Sequence, residues 1–184
     1  MKVEKTILEG CFIIHDTVFG DERGYFFESF NQKLFSDLTG ISTQFVQDNQ
    51  SKSSRGVLRG LHLQQGEFAQ AKLVRVLEGE VLDVVVDLRK NSETFGQHLN
   101  IILSSTNNTQ LFIPKGFAHG FLVLSESATF FYKCNEYYNK TSEAGIIYND
   151  VELDIDWKLN STDIKLSEKD KTLPSFAEFK NNMK

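Results

Sequence analysis

Proline and cysteine are nearly missing from this chain: of 184 residues, two are proline and two are cysteine. The cysteines, Cys11 and Cys134, lie far apart and form no Cys-x-x-Cys pair. That argues against a disulfide scaffold and a cysteine-rich metal site, and the pair reads as free thiols of a reducing compartment. No run approaches the roughly 18 apolar residues that a membrane span requires. The opening MKVEKTILEGCFII carries no long apolar core of a secretory signal. The expectation is a cytoplasmic protein with no membrane partner. An excess of positive charge is missing too. The net charge is −5, so no nucleic-acid partner is expected, although a local basic pocket remains allowed. No Walker-type phosphate loop, no Gly-x-Gly-x-x-Gly and no Gly-x-Ser-x-Gly occurs. Nucleoside triphosphate hydrolysis, dinucleotide binding and nucleophile-elbow hydrolysis are therefore disfavoured.

What is present is ordinary in bulk and unusual in one count. Hydrophobic residues make up 40% and charged residues 24%, the balance of a folded globular chain. The length suits one domain over residues 1–184, with a C-terminal helical tail. Phenylalanine is abundant, 16 residues against one Trp and five Tyr. Many aromatics and β-branched residues with little proline point to sheets. Ala71 to Leu88, AKLVRVLEGEVLDVVVDL, places two β-rich runs around Glu78-Gly79 and predicts a hairpin there. In the second run Val81, Asp83, Val85 and Asp87 share one face, and Leu82, Val84, Val86 and Leu88 share the other. Further strands are expected at Gln44–Gln47, Val57–Leu63, His98–Ser104, Thr109–Ile113, Gly120–Leu124 and Thr129–Tyr138. Their spacing of about ten residues predicts an all-β sandwich or barrel.

Helices are expected only as short peripheral pieces. Asn31 is a candidate N-cap and Gly40 a candidate C-terminal stop, with Leu34, Phe35 and Leu38 on one face between them. A second helix is expected from Ser175 to Met183, after Pro174. Ser167-Glu-Lys-Asp170 resembles a capping box.

Several side chains are candidates for chemistry. Four histidines occur, His15, His62, His98 and His119, and a lone histidine is more often structural than catalytic. His62 stands out because Gly56-Val-Leu-Arg-Gly-Leu-His-Leu-Gln64 sets Arg59, His62 and Gln64 among apolar strand residues. Polar groups on an apolar face need partners or a function. Arg59 has the wrong parity to join His62, unless Gly60 allows a bulge. Lys72 alternates with Val74 and Val76; position alone favours an edge lysine reaching outward over a buried functional cation. Tyr132 alternates with Phe130 and Cys134 and reads first as a core aromatic with its hydroxyl at the rim. His119, in Ile113-Pro-Lys-Gly-Phe-Ala-His-Gly-Phe121, reads first as a hydrogen-bonded residue of a strand-entry turn. A metal site needs three or four ligands in a tight set. His-Leu-Gln on the strand supplies too few, so no bound metal is expected.

These segments together resemble a known family. Phe45-Val-Gln-Asp-Asn-Gln-Ser51, Gly56–His62, Gln70-Ala-Lys-Leu-Val-Arg-Val76, Val81-Leu-Asp-Val-Val-Val-Asp-Leu-Arg89, Ile113–Phe121 and Leu166-Ser-Glu-Lys-Asp170 are similar to the dTDP-4-dehydrorhamnose 3,5-epimerases, in order and from about Phe12 to Pro174. The resemblance implies a cupin-type jelly roll that works without metal or organic cofactor. It implies a dTDP-linked 4-keto-6-deoxy sugar as substrate, inverted at C3 and C5 through an enolate. It further implies a homodimer whose sites are completed across the interface.

The resemblance also assigns roles. His62 becomes the base, since histidine ordinarily titrates near pH ~6.5. Asp170 orients its ring. Tyr132 becomes the acid on the opposite face, and Lys72 the cation beside the developing oxyanion. Arg23, Arg59 and Lys169 are implied at the diphosphate, and Phe19, Phe26 and Tyr138 against thymine or sugar. Glu28, Gln47 and Asn49 offer polar contacts, and Glu143 and His119 line the pocket. Departures from the family pattern are Leu63 after His62, Gln65-Gly66-Glu67 in place of a proline-richer loop, and Tyr148. They bear on fine substrate preference. A relative acting at one carbon, a ketoisomerase, a non-catalytic sugar-nucleotide binder and a metal-dependent cupin dioxygenase stay as alternatives.

Overall fold

The computed structural model describes residues 1–183. The chain begins with β1 (Lys2–Lys5), β2 (Phe12–His15), and a short ribbon of β3 (Phe19–Asp21) and β4 (Gly24–Phe26). Helix α1 (Gln32–Thr39) follows, then β5 (Gln47–Ser54), β6 (Leu58–Gln64), β7 (Lys72–Glu78) and β8 (Glu80–Asp87). The second half runs β9 (His98–Ser104), β10 (Thr109–Ile113), β11 (Phe117–Val123), β12 (Ser127–Cys134) and β13 (Glu143–Gly145). Two short helices, α2 (Glu168–Lys171) and α3 (Phe176–Asn182), close the chain.

Two antiparallel sheets form the jelly roll. One is six-stranded, in the order β1-β2-β10-β7-β12-β5; the other is five-stranded, β13-β6-β11-β8-β9. Between them lies a core fed by both, with Val74, Val76 and Phe130 from the first sheet facing Val81, Val85, Phe121 and Val123 from the second. Each sheet is covered on its outer face as well. Phe35 of α1 packs on Phe12, Leu73 and Phe112. Trp157, Phe176 and Phe179 pack on Leu58, Leu82, Val84, Val86 and Leu122. Coverage on both faces explains why every residue of β8 after Glu80 is buried. The two-faced division of Val81–Leu88 read from the sequence is the division between the inner core and the outer layer.

The expected hairpin at Glu78-Gly79 is not formed. β7 pairs with β10 and β12, while β8 pairs with β11 and β9, so Gly79 carries the chain from one sheet to the other. A side chain at position 79 would put its Cβ 2.1 Å from the Ser127 carbonyl oxygen, and φ is +79° there. A bent glycine between two β-rich runs can reverse the chain within a sheet or turn a corner between sheets. The run looks the same either way.

Other boundaries moved for similar reasons. The strand expected at Gln44–Gln47 starts at Gln47 and continues to Ser54 through QDNQSKSS, which carries no apolar signal. β11 starts at Phe117 rather than Gly120, which places His119 inside the strand and not in an entry turn. β12 ends at Cys134 rather than Tyr138. Helix α1 has its expected ends: Asn31 accepts from the Leu34 N–H, and Gly40 stops the helix at φ +72°. Leu38, expected on its packed face, is 45% exposed. Ser175 and Glu178 form a complete capping box on α3.

Candidate active site

A cavity of about 590 Å³ opens between the two sheets. His62 and His119 enter it from the second sheet, and Lys72 and Tyr132 enter it from the first. Within the second sheet His62 pairs directly with His119. Within the first, Tyr132 pairs with Val74 and Cys134 with Lys72, so the phenol and the ammonium stand on neighbouring strands. The lysine read from position alone as reaching outward therefore turns inward.

The parity conflict between Arg59 and His62 resolves as the glycine allows. Arg59 pairs with Phe121 and His62 with His119, so two residues of β6, Gly60 and Leu61, stand against Gly120 alone. The extra residue rotates the strand by one face, and both Arg59 and His62 line the cavity. The two glycines are needed for it: a Cβ on Gly60 would lie 2.5 Å from the Gly120 Cα.

His62 Nε2 lies 2.6 Å from Asp170 Oδ1. The carboxylate is sealed in the wall, while the imidazole is about one-third open to the cavity. Asp170 sits in the first turn of α2, where Ser167 caps the helix by accepting from its N–H. Only half of the expected capping box forms, because the Asp170 carboxylate is turned to His62 instead. Burial pushes the Asp170 pKa up, but the His62 hydrogen bond and charge, with Ser167 and the Gly60 amide, outweigh it and leave it below its usual range. An ionised Asp170 fixes the ring and leaves the other imidazole nitrogen with a lone pair.

The opposing side chains are biased differently. Burial raises the Tyr132 pKa, Cys134 adds to the rise and Arg59 opposes it, so the phenol keeps its proton. Burial lowers the Lys72 pKa, against the pull of Cys134 and Asp83. Among the described residues no carboxylate lies within 4.0 Å of its ammonium. His119 is nearly sealed, with Nε2 2.9 Å from Asp83 Oδ2. Burial lowers its pKa, Asp83 pulls it back up, and Lys72 and His62 push it further down.

The remaining expected site residues divide into three groups. Asn49, Arg59 and Lys169 line the cavity. Arg59 is held by Ser53 Oγ at 3.2 Å, and Lys169 by Glu143 at 2.6 Å, which places Glu143 at the rim. Gln47 and Tyr138 are one step away: Gln47 donates to Asn49 Oδ1 and accepts from the Tyr138 N–H. Phe19, Arg23, Phe26 and Glu28 are not brought to this cavity. Phe19 and Phe26 are 64% and 71% exposed on the β3–β4 ribbon, which pairs only with itself. Arg23 is tied to Asp21 on that ribbon, and Glu28 accepts from Asn31 at the start of α1. Sequence reasoning missed Ser51, Lys165 and Ser167 in the wall, and Asp83 behind it. Asp83 alone carried a signal, a carboxylate inside the otherwise apolar run Val81–Val86. Among the described residues no group of three or more His, Cys, Asp and Glu is placed to hold a metal ion. No helix among them is long and apolar enough to cross a membrane.

The fold and cavity define a cupin-type protein equipped for proton transfer: a carboxylate-oriented imidazole on one wall, a neutral phenol and an ammonium on the other. Residues 5–178 match the family model described as dTDP-4-dehydrorhamnose 3,5-epimerase, and the chain belongs to that family. It is 53% identical over 174 residues to the dTDP-4-dehydrorhamnose 3,5-epimerase of Salmonella typhimurium, covering 95% of this chain and 94% of that one. The crystal structure of the Elizabethkingia anophelis enzyme of that name superposes with a TM-score of 0.94 at 59% identity, over 97% of each chain. A Legionella pneumophila dTDP-6-deoxy-D-glucose-3,5-epimerase, solved in complex with dTDP-4-keto-L-rhamnose, gives 0.91 at 50% identity, over 95% of this chain and 92% of that one.

Proposed function

We propose that this chain inverts C3 and C5 of dTDP-4-dehydro-6-deoxy-D-glucose to give dTDP-4-dehydro-L-rhamnose, a step of deoxysugar biosynthesis in the cytoplasm. The observation that carries the reading is the placement of His62 and Tyr132 on opposite sheets of one cavity. Inversion at carbon needs a base on one face of the sugar and an acid on the other, and two facing sheets supply that.

The C4 ketone acidifies the hydrogens at C3 and C5. His62 takes one as a proton, and the electron pair of the C–H bond moves into the enolate oxygen at C4. Asp170 stabilises the imidazolium that results. Lys72 stabilises the enolate oxygen, an effect typically worth a few kcal/mol in a desolvated site. Tyr132 then delivers its proton to the carbon from the other face. The phenolate then recovers a proton from solvent and the His62 imidazolium releases one to it, which closes the cycle. The substrate's own ketone is the electron sink, so these steps call on no further group.

Arg59 and Lys169 meet the diphosphate at the cavity rim. The ribbon carrying Phe19, Arg23 and Phe26, with Glu28 after it, completes the site of a second copy, so the working unit is a homodimer. The exposed aromatics of the ribbon and their distance from this chain's own cavity support that arrangement.

Incubation with the 4-keto sugar nucleotide in D₂O, followed by NMR, tests the reading. Deuterium is expected at C3 and at C5. Exchange at one carbon alone identifies a single-centre epimerase, and binding without exchange identifies a non-catalytic binder. Tyr132→Phe is expected to slow product formation more than wash-in; equal losses would remove the phenol from the acid role.

A further inference from the structure

Asp83 has no part in the proton transfers above, yet it stands behind the cavity wall in the middle of β8, with no exposed surface. One oxygen, Oδ2, meets His119 Nε2 at 2.9 Å. The other, Oδ1, is sealed from solvent and has no hydrogen-bond partner among the described residues. A buried carboxylate oxygen without a donor is costly, and valine or leucine would suit this apolar strand better. The carboxylate is therefore retained for what Oδ2 does to His119.

The His119 ring packs against Phe130 at 5.9 Å between centroids, and the residue lines the cavity. Its second nitrogen, Nδ1, has no protein partner among the described residues and is not one of the sealed polar atoms. We infer that Asp83 is a positioning residue: by accepting the Nε2–H of His119 it leaves Nδ1 as a lone-pair acceptor turned to the cavity, matched to a hydroxyl of the bound sugar. The inference rests on the sugar-nucleotide reading of the site.

Two features agree with it. Burial keeps His119 neutral, so the ring holds one proton and the choice of nitrogen is open. The Asp83 charge is answered at a distance by Lys72, which has no closer carboxylate, so the pair does not need a charged imidazole. The two His–Asp pairs thus differ in use. His62 faces the cavity ready to gain a proton; His119 faces it as a fixed acceptor. An Nδ1–H ring would instead offer a donor there, which suits an oxygen lone pair and cannot accept the proton of a sugar hydroxyl.

Long-range ¹H–¹⁵N spectra of the full-length protein read the tautomer directly, with His119 assigned by its loss in His119→Gln. The expected wild-type form carries its proton on Nε2. In Asp83→Asn the side-chain amide donates to Nε2, and the ring is expected to switch to Nδ1–H. KM for the sugar nucleotide should then rise about tenfold with kcat nearly unchanged, the mark of lost uniform binding. A wild-type ring protonated on Nδ1 or on both nitrogens overturns the inference, and needs no variant that folds. So does Asp83→Asn with the wild-type tautomer and KM. If the wild type exchanges no deuterium at all, the proposed function fails, while the tautomer is still decided by the spectrum.

Discussion

The floor of the cavity and the β3–β4 ribbon both carry side chains of the proposed site, but they are built in opposite ways. On the floor, His62 and His119 lie on adjacent strands that are packed on both faces, and each is tied to a buried carboxylate. On the ribbon, Phe19, Tyr25 and Phe26 are 64%, 67% and 71% exposed, and Arg23 pairs with Asp21 two residues away. One region is complete within a single chain. The other leaves large aromatic surface open, which is stabilising only when something covers it. The floor can therefore be preorganised before substrate arrives, whereas in the homodimer proposed above the ribbon contributes to binding only at the site of a second copy.

Substitutions should separate the two. The largest expected effect is His62→Ala, which should lower deuterium wash-in by about 10²–10⁴-fold, the usual worth of a general base. Wash-in at the wild-type rate would move the base elsewhere. Gly60→Ala comes next. The added methyl meets the Gly120 Cα at 2.5 Å and the His119 carbonyl at 3.0 Å, at a φ of +140°. A loss of about 3 kcal/mol or more in urea unfolding is expected, because backbone atoms on both sides cannot yield. On the ribbon, Arg23→Ala should raise KM about tenfold and leave the thermal midpoint of the protein unchanged. A change in midpoint with unaltered KM would make the ribbon part of the fold and not of the site.

The smallest effect is the pH dependence of stability, and it should come from the floor. The His119 pKa is lowered in the folded chain, so below its ordinary 6.5 the unfolded chain binds more protons. Its contribution is present above that pH and erodes as the pH falls. The Asp170 pKa is also lowered, from 3.8, so its contribution is present above about that value and is lost as the pH falls through the folded-state pKa. Urea midpoints measured from pH 7 to pH 3 should flatten in the upper part of the range for His119→Gln, and in the lower part for Asp170→Asn. Asp21→Asn on the ribbon should leave the upper part unchanged and alter the lower part far less than Asp170→Asn, because its pair with Arg23 is exposed.

Much of this was legible before the fold was known. The spacing of β-rich runs with turn signals between them marked His98–Ser104 and Thr109–Ile113 to the residue. The caps at Asn31, Gly40 and Ser175 were equally plain, since capping is a local hydrogen bond. The candidate base, acid, cation and orienting carboxylate were assigned through the resemblance of their segments to a known family, and His62, Tyr132, Lys72 and Asp170 do converge on one cavity. β5 was not legible, because QDNQSKSS is polar: its inward residues, Asn49 and Ser51, face the cavity rather than the core.

By itself, then, the sequence determined the β class, the helix ends and the two faces of Val81–Leu88, which depend on period and on contacts within a few residues, while the short roster of reactive side chains came through the family resemblance. Tertiary structure alone decided that Gly79 turns a corner between sheets, that a bulge at Gly60 brings Arg59 beside His62, and that Lys72 points inward. It also decided that Asp83 meets His119 across 36 residues, and Asp170 meets His62 across 108. Each of these is a pairing between distant strands or loops. Which partner a strand takes is set by the packing of the whole jelly roll, and no local pattern of residues carries that information.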